Sequence, residues 1–216
     1  MKTLVNFDFD ITSESLEKNK MIADNMEGTT FHFHTHILYD IRTKLGDGDI
    51  TYLEIGSYCG ASISLISSHK YPTKCFSLDI GFPIDPSVVI RNVEKFKNKN
   101  SVFEYIKGSS YNKTIVETVY NKVDKIDLLF IDGDHSEKAV YEDFNNYSKL
   151  VSKNGYICFD DYLDDEYSPE VRGSVDNIIK SLDPTEYEVI GTLKYDQLKS
   201  YTNFSANSIF LLKKIK

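Results

Sequence analysis

Short, nearly continuous apolar runs punctuate this chain, and between them lie longer stretches whose apolar positions recur every three or four residues. The runs read as strands buried on both faces, the stretches as amphipathic helices. Thr51 to Ile55 is the first strand and the segment from Ala61 to His69 the helix after it. Lys74 to Ile80 gives a second strand, Pro86 to Lys97 a helix opened by an N-terminal proline, and Ser101 to Lys107 a third strand. Helix, strand, helix and strand follow at about 111–121, 126–131, 136–150 and 155–160. This alternation specifies right-handed βαβ units and a doubly wound, mostly parallel α/β sheet. The rhythm breaks at the end. After a helix at about 169–182, Glu186 to Leu193 and Asn207 to Ile215 are two strands joined by a polar loop with no helix between them, so one of the last two of seven strands runs antiparallel.

No internal repeat, low-complexity segment or second domain boundary interrupts the pattern, so residues 1–216 are expected to form a single domain with its core at 50–215. Residues 1–45, with an apolar periodic stretch from Phe31 to Leu45, are expected to form an N-terminal helical cap leading into the sheet. A chain of 216 residues with 41% hydrophobic content can bury one large core. The net charge of -8 argues against a nucleic-acid partner, because such binding draws its affinity from phosphate neutralisation by Lys and Arg. The Lys213-Lys214-Ile215-Lys216 tail reads as a solvated end. No apolar run approaches the roughly 20 residues of a membrane span, and Met1-Lys2-Thr3 leads into Asp8 and Asp10, so a cytoplasmic protein without a membrane partner is expected. A homo-oligomer is compatible with all of this. Cys59, Cys75 and Cys158 are odd in number and lack CxxC spacing, which favours reduced thiols over a disulfide framework or zinc site.

Two of the strand runs end in clusters of acids. Ile126 to Ile131 closes on Asp132-Gly133-Asp134-His135, and Tyr156 to Phe159 closes on Asp160-Asp161. The carboxyl ends of adjacent parallel strands line one crevice, so Asp132, Asp160 and Asp161 are expected to converge there. Three carboxylates that close repel strongly unless something cationic sits among them, and a hard divalent ion such as Mg²⁺ is the simplest candidate.

The turn after the first strand, Glu54-Ile55-Gly56-Ser57-Tyr58-Cys59-Gly60, puts glycines four apart at a strand-to-helix junction. Missing side chains there let a ligand approach the backbone and the helix N-terminus. Alone, the spacing suits a plain tight turn almost as well, and it is not the G-x-G-x-x-G of dinucleotide binders. The second strand shifts the balance: it ends in Leu78-Asp79, an acid about 20 residues beyond the loop, placed to accept hydrogen bonds from two ribose hydroxyls. A nucleoside-bearing cofactor is the better reading of the pair.

With these residues in view, the chain resembles the class I S-adenosylmethionine-dependent methyltransferases. Within them it is similar to the small metal-dependent family that includes macrolide sugar O-methyltransferases and cephalosporin-hydroxylase-like proteins. The matching segments are Leu53 to Gly60, Phe130-Ile131-Asp132-Gly133-Asp134-His135-Ser136, Gly155 to Tyr162, and Pro169 to Asp176, and the resemblance covers about 50 to 215. It implies a Rossmann-like methyltransferase fold. Glu54, Gly56, Ser57 and Gly60 are then expected to border the methionine half of S-adenosylmethionine, Asp79 the ribose, and Gly108-Ser109 the adenine edge. Asp132, also beside the cofactor, is expected to hold the metal with Asp160 and Asp161. A histidine three residues after the first metal aspartate is the proposed base in sugar-modifying relatives, and His135 has that place here. Glu170 stands where relatives often show glycine, so the acceptor-side loop is expected to differ in shape.

Methyl transfer from a sulfonium is an in-line displacement, so holding the acceptor oxygen close to the methyl carbon can be worth about 7–11 kcal/mol. A sugar hydroxyl is a poor nucleophile, which a divalent ion would help by stabilising the developing alkoxide. Imidazole is the side chain that titrates nearest neutrality, which suits His135 for the released proton. Asp134 competes for that role, although it also suits orienting the imidazole or a solvated turn. The expected partner is a small molecule, a sugar or glycoside. A catechol-like phenol is the alternative acceptor, and a non-catalytic adenosine-ligand-binding module the alternative class.

Other residues invite plainer readings. His32, His34 and His36 alternate like ligands on a strand but lack neighbouring cysteines or carboxylates; a place for His36 on the acceptor side of the cleft is only the minor alternative to a plain role. Asp164-Asp165-Glu166 reads as a solvated loop. Arg172 suits a tether to the carboxylates or to an anionic substrate group, and a surface ion pair equally. Fifteen tyrosines and no tryptophan suggest aromatic surfaces for stacking on a small polar ligand.

Overall fold

A computed structural model describes residues 12–28, 35–192 and 209–216. Two helices, α1 (Ser13–Asn25) and α2 (His36–Lys44), precede the alternating series. The series runs β1 (Ile50–Ile55), α3 (Ala61–Ser67), β2 (Thr73–Asp79), α4 (Pro86–Phe96), β3 (Val102–Lys107), α5 (Lys113–Lys122) and β4 (Ile126–Ile131). It continues with α6 (Glu137–Tyr147), β5 (Val151–Phe159), α7 (Pro169–Ser181), β6 (Tyr187–Thr192) and β7 (Phe210–Lys214). Helix starts follow from local chemistry. Asp85, Asn112 and Ser136 each stand at an N-cap and accept from a backbone amide of the following turn.

The seven strands form one sheet in the order β3-β2-β1-β4-β5-β7-β6. β1 to β5 pair in parallel, and β7 runs antiparallel to both β5 and β6, which is the doubly wound, Rossmann-like methyltransferase arrangement. Side chains alternate across the pleat, so each strand feeds two cores. Leu129 and Ile131 of β4 pack with Val140 and Phe144 of α6 and with Val175 and Ile178 of α7. Leu128 and Phe130 pack on the opposite face with Ile37, Leu38 and Ile41 of α2 and with Ile63 and Ile66 of α3. Fully burying each such side chain contributes about 1.5–3 kcal/mol.

α2, within the expected N-terminal helical segment, joins the layer that covers one sheet face, where Ile37, Leu38 and Ile41 share a core with Tyr52 of β1 and with Leu128 and Phe130 of β4. The start of the expected 31–45 helix, His32, His34 and the start of the last strand's expected range lie outside the described residues. β5 begins at Val151, four residues early, across an irregularity at which its register with β4 shifts; polar Ser152-Lys153-Asn154 hides that extension from the apolar pattern. Among the described residues, no helix is long and apolar enough to cross a membrane. The strand order reverses between β1 and β4, and in open α/β sheets ligands bind beyond the carboxyl ends of the strands at such a point.

Candidate active site

The turns after β1 to β5 enclose a cleft of about 500 Å³ at that reversal, a size suited to a small molecule. Gly56 and Gly60 both have positive φ, +80° and +81°. A Cβ on Gly56 would lie 2.0 Å from the carbonyl oxygen of Asp132, so this glycine lets the ends of β1 and β4 approach each other. The sequence reading gave that space to a ligand, and the adjoining backbone takes it instead. Gly60, the N-cap of α3, sits against Val89.

Asp79 braces this loop. Its Oδ2 accepts from Ser57 N at 2.7 Å, and its Oδ1 accepts from Gly81 N at 2.6 Å and from the Tyr105 hydroxyl at 3.1 Å. About one of the carboxylate's roughly four acceptor positions is left for a ligand. The Ser57 hydroxyl pairs with Ser77. Ser109 lines the cleft, and its hydroxyl has no hydrogen-bond partner among the described residues. Glu54 is fully buried below the cleft and accepts from the Tyr52 hydroxyl at 2.5 Å. Burial pushes its carboxyl up to about 7, against the pull of the hydroxyls around it.

The other half of the cleft is acidic. Ile131 pairs with Phe159, and Asp160 N donates to Ile131 O, which sets the residues after β4 and β5 side by side. Asp161 adopts φ +55°, a left-handed conformation that aspartate tolerates better than most residues. The enclosed position of Asp132, followed by the charges of Asp160 and Asp161, pushes its carboxyl well above the usual carboxylate range. His135 stands between two of these acids: its Nε2 is 3.4 Å from Asp132 Oδ1 and its Nδ1 is 3.6 Å from Asp161 Oδ2. Ligand atoms of Asp132, His135 and Asp161 all lie within 4.8 Å of one another, a spacing and donor chemistry that fit one divalent ion. This convergent group differs from the expected trio. Asp160, 6% exposed and lining the cleft, lies outside it and His135 lies inside, because the imidazole reaches across from α6's entry turn.

Asp134 is exposed and accepts from Ser136 N at 3.0 Å, the turn role among its alternatives. The residue that pattern reading missed is Ser168, whose hydroxyl lies 2.8 Å from both His135 Nδ1 and Asp161 Oδ2. Asp164, expected in a solvated loop, is buried and accepts from the amides of Glu166 and Tyr167, so it shapes the turn that delivers Ser168. Arg172 takes the plain role, an ion pair with exposed Asp165. Glu170 accepts from Glu137 N and thereby ties the start of α7 to the start of α6. His36 is buried and absent from the cleft wall, where Thr35 stands instead. Tyr58, Phe82 and Tyr111 are exposed on the rim.

Comparison with known proteins agrees with this fold. A family model described as a methyltransferase domain matches residues 53–162, from β1 to the turn after β5. An uncharacterised protein of Acanthamoeba polyphaga mimivirus is 38% identical over 181 residues, covering 81% of this chain and 82% of its own. Two solved structures share the fold at low identity. One is an O-methyltransferase from Bacillus cereus in complex with SAH (S-adenosylhomocysteine), at 15% identity and TM-score 0.60, covering 95% of this chain and 92% of that one. The other is MycE, a methyltransferase of the mycinamycin biosynthetic pathway in complex with Mg, SAH and mycinamycin VI, at 16% identity and TM-score 0.65, covering 95% of this chain and 55% of that one. An rRNA methylase from Streptococcus thermophilus also aligns, at 10% identity and TM-score 0.60, over 87% of this chain and all of its own. By the family model, the viral relative and the strand order together, the chain belongs to the methyltransferase-domain family, with the class I S-adenosylmethionine-dependent fold.

Proposed function

We propose that this protein is a divalent-metal-assisted O-methyltransferase acting on a hydroxyl of a sugar or sugar-containing small molecule. The observation that carries the proposal is the group formed by Asp132, His135 and Asp161 within 4.8 Å, in the same cleft as the Asp79-braced glycine loop. One half fits a nucleoside cofactor and the other fits an ion beside a base. S-adenosylmethionine supplies the methyl group, and a bound Mg²⁺ would stabilise negative charge developing on the acceptor oxygen. Asp79 with Ser57 and Ser109 bind the nucleoside, and the turn from Glu54 to Gly60 borders the methionine. Asp132 and Asp161, with Asp160 alongside, hold the ion. His135 Nε2 takes the acceptor's proton. The fold shared with MycE, solved in complex with Mg, SAH and mycinamycin VI, supports a metal-assisted reaction on a small molecule as a direction of search.

A phenolic acceptor is the second reading, favoured by the rim of exposed Tyr58, Phe82 and Tyr111, which could stack on a flat ring. One experiment separates them. The protein is incubated with labelled S-adenosylmethionine, Mg²⁺ and a panel of nucleotide-linked sugars, glycosides and phenols, and the methylated product is identified. Metal-dependent label on a sugar hydroxyl is the expected result. Label confined to phenols, and surviving His135→Ala, would replace the first reading by the second.

A further inference from the structure

We propose that Ser168 is a positioning residue that fixes His135 in the Nδ1-protonated tautomer and leaves Nε2 bare toward the cleft. The meaning of this for catalysis rests on the function proposed above, whereas the tautomer rests on the hydrogen-bond geometry around an ionised Asp161.

Ser168 stands at the N-cap of α7, where a serine hydroxyl ordinarily accepts from a backbone amide one turn ahead. Here it makes no such bond, and the residue is 2% exposed. The turn before it is built to hold it: Ser168 N donates to Asp164 O, and the Asp164 carboxylate accepts from the amides of Glu166 and Tyr167. Giving up a cap destabilises a helix, so the hydroxyl's diversion marks a demand elsewhere.

That demand can be read by counting protons. A serine hydroxyl carries one hydrogen, and an ionised carboxylate only accepts. The Ser168 hydroxyl at 2.8 Å from Asp161 Oδ2 therefore donates there. Its oxygen, also 2.8 Å from His135 Nδ1, must then accept, and Nδ1 carries the hydrogen. In neutral imidazole Nε2 is left with its lone pair, facing Asp132 Oδ1 at 3.4 Å. Two lone pairs so close need a cation or proton between them, which is the condition that a metal ion or an acceptor hydroxyl would meet. The reverse order, with Nε2 protonated, requires a proton on Asp161, which a divalent ion at this carboxylate opposes. Histidines beside metal sites are commonly set in this way by the partner of their other nitrogen.

The test is a long-range proton–nitrogen NMR spectrum of the full chain, labelled at histidine nitrogen, with excess Mg²⁺ and at a pH where imidazoles are neutral. His135→Ala identifies the signals of His135 among the five histidines. The expected result is a protonated-type Nδ1 and an unprotonated-type Nε2, kept in Ser168→Thr and lost or mixed in Ser168→Ala. A wild-type Nε2–H tautomer, or an Nδ1–H tautomer that Ser168→Ala leaves unchanged, would overturn the proposal. If Ser168→Ala does not fold, the wild type and Ser168→Thr decide. A protein with the Nδ1–H tautomer that methylates nothing sinks the proposed function and keeps this one.

Discussion

At the β1–β2 end of the cleft the Asp79 carboxylate takes hydrogen bonds from Ser57, Gly81 and Tyr105, whereas at the β4–β5 end Asp132, Asp160 and Asp161 crowd together with one imidazole and one hydroxyl among them. The first end is nearly complete as the chain folds: the Asp79 carboxylate keeps about one acceptor position and Ser109 its hydroxyl for a ligand, with little else left to arrange. The second is unbalanced, with negative charges that only a cation or bound protons can relieve. The difference teaches how the two ends divide the work. A nucleoside needs a rigid outline, and a transferred group needs charges that are satisfied only when the reactants are present.

The comparison breaks most visibly at His135. His135→Ala is expected to lower kcat by about 10²–10⁴-fold with cofactor affinity unchanged, because a general base acts in the transition state. Steady-state kinetics with SAH calorimetry alongside checks both halves of that statement. A loss of Mg²⁺ affinity in the same variant would instead make the imidazole a ligand, as its place among the convergent atoms also allows. Asp79→Ala acts at the other end and should do the reverse. It is expected to weaken SAH binding by about 1.5–3 kcal/mol, read by calorimetry, and to leave Mg²⁺ binding intact. Equal losses of both ligands would show that the two ends are not separate.

A smaller effect sharpens the boundary between the ends. Asp143 of α6 is fully buried, 3.6 Å from where a Cβ on Gly133 would stand, and burial pushes its carboxyl up to about 7 from an ordinary 3.8. One turn on, Tyr147 donates to Ser110 O, so this helix joins the adenine side to the acidic side. A carboxyl whose folded pKa is raised contributes stability that is full below about 3.8 and lost as pH rises through 7. Asp143→Asn should therefore remove up to about 4 kcal/mol of the decline in stability between pH 4 and pH 8, seen in urea melts across that range. An identical decline in the variant would mean that Asp143 does not carry the strain, and would leave Glu54, also raised to about 7, as its source.

Much of this was legible in the sequence because buried strands end abruptly. Asp79, Asp132 and Asp160 each follow an apolar run, and a parallel sheet delivers such residues to one edge whatever the loops between them do. The lone antiparallel strand was legible because no helix-length segment could carry a crossover between the last two runs. What stayed hidden depends on contacts that no periodicity records. Ser168 before Pro169 looks like an ordinary helix cap, and only the three-dimensional path of the turn from Asp164 diverts its hydroxyl to His135. Asp164 looked solvated among its acidic neighbours because burial of an acid cannot be read from acid density. Gly56 reads in the sequence as a glycine that admits a ligand, and no periodicity records that the backbone of Asp132 fills the place of its side chain. The amphipathic stripe of α2 announces a helix but does not say which surface it faces.

The measurement that bears most directly on the central claim is calorimetric titration of Mg²⁺ into the wild-type protein and into Asp132→Asn. The account predicts one ion per chain, with affinity reduced at least about tenfold by a substitution that removes one charge and one ligand oxygen. No binding by the wild type at millimolar Mg²⁺, or binding that Asp132→Asn leaves unchanged, would contradict it.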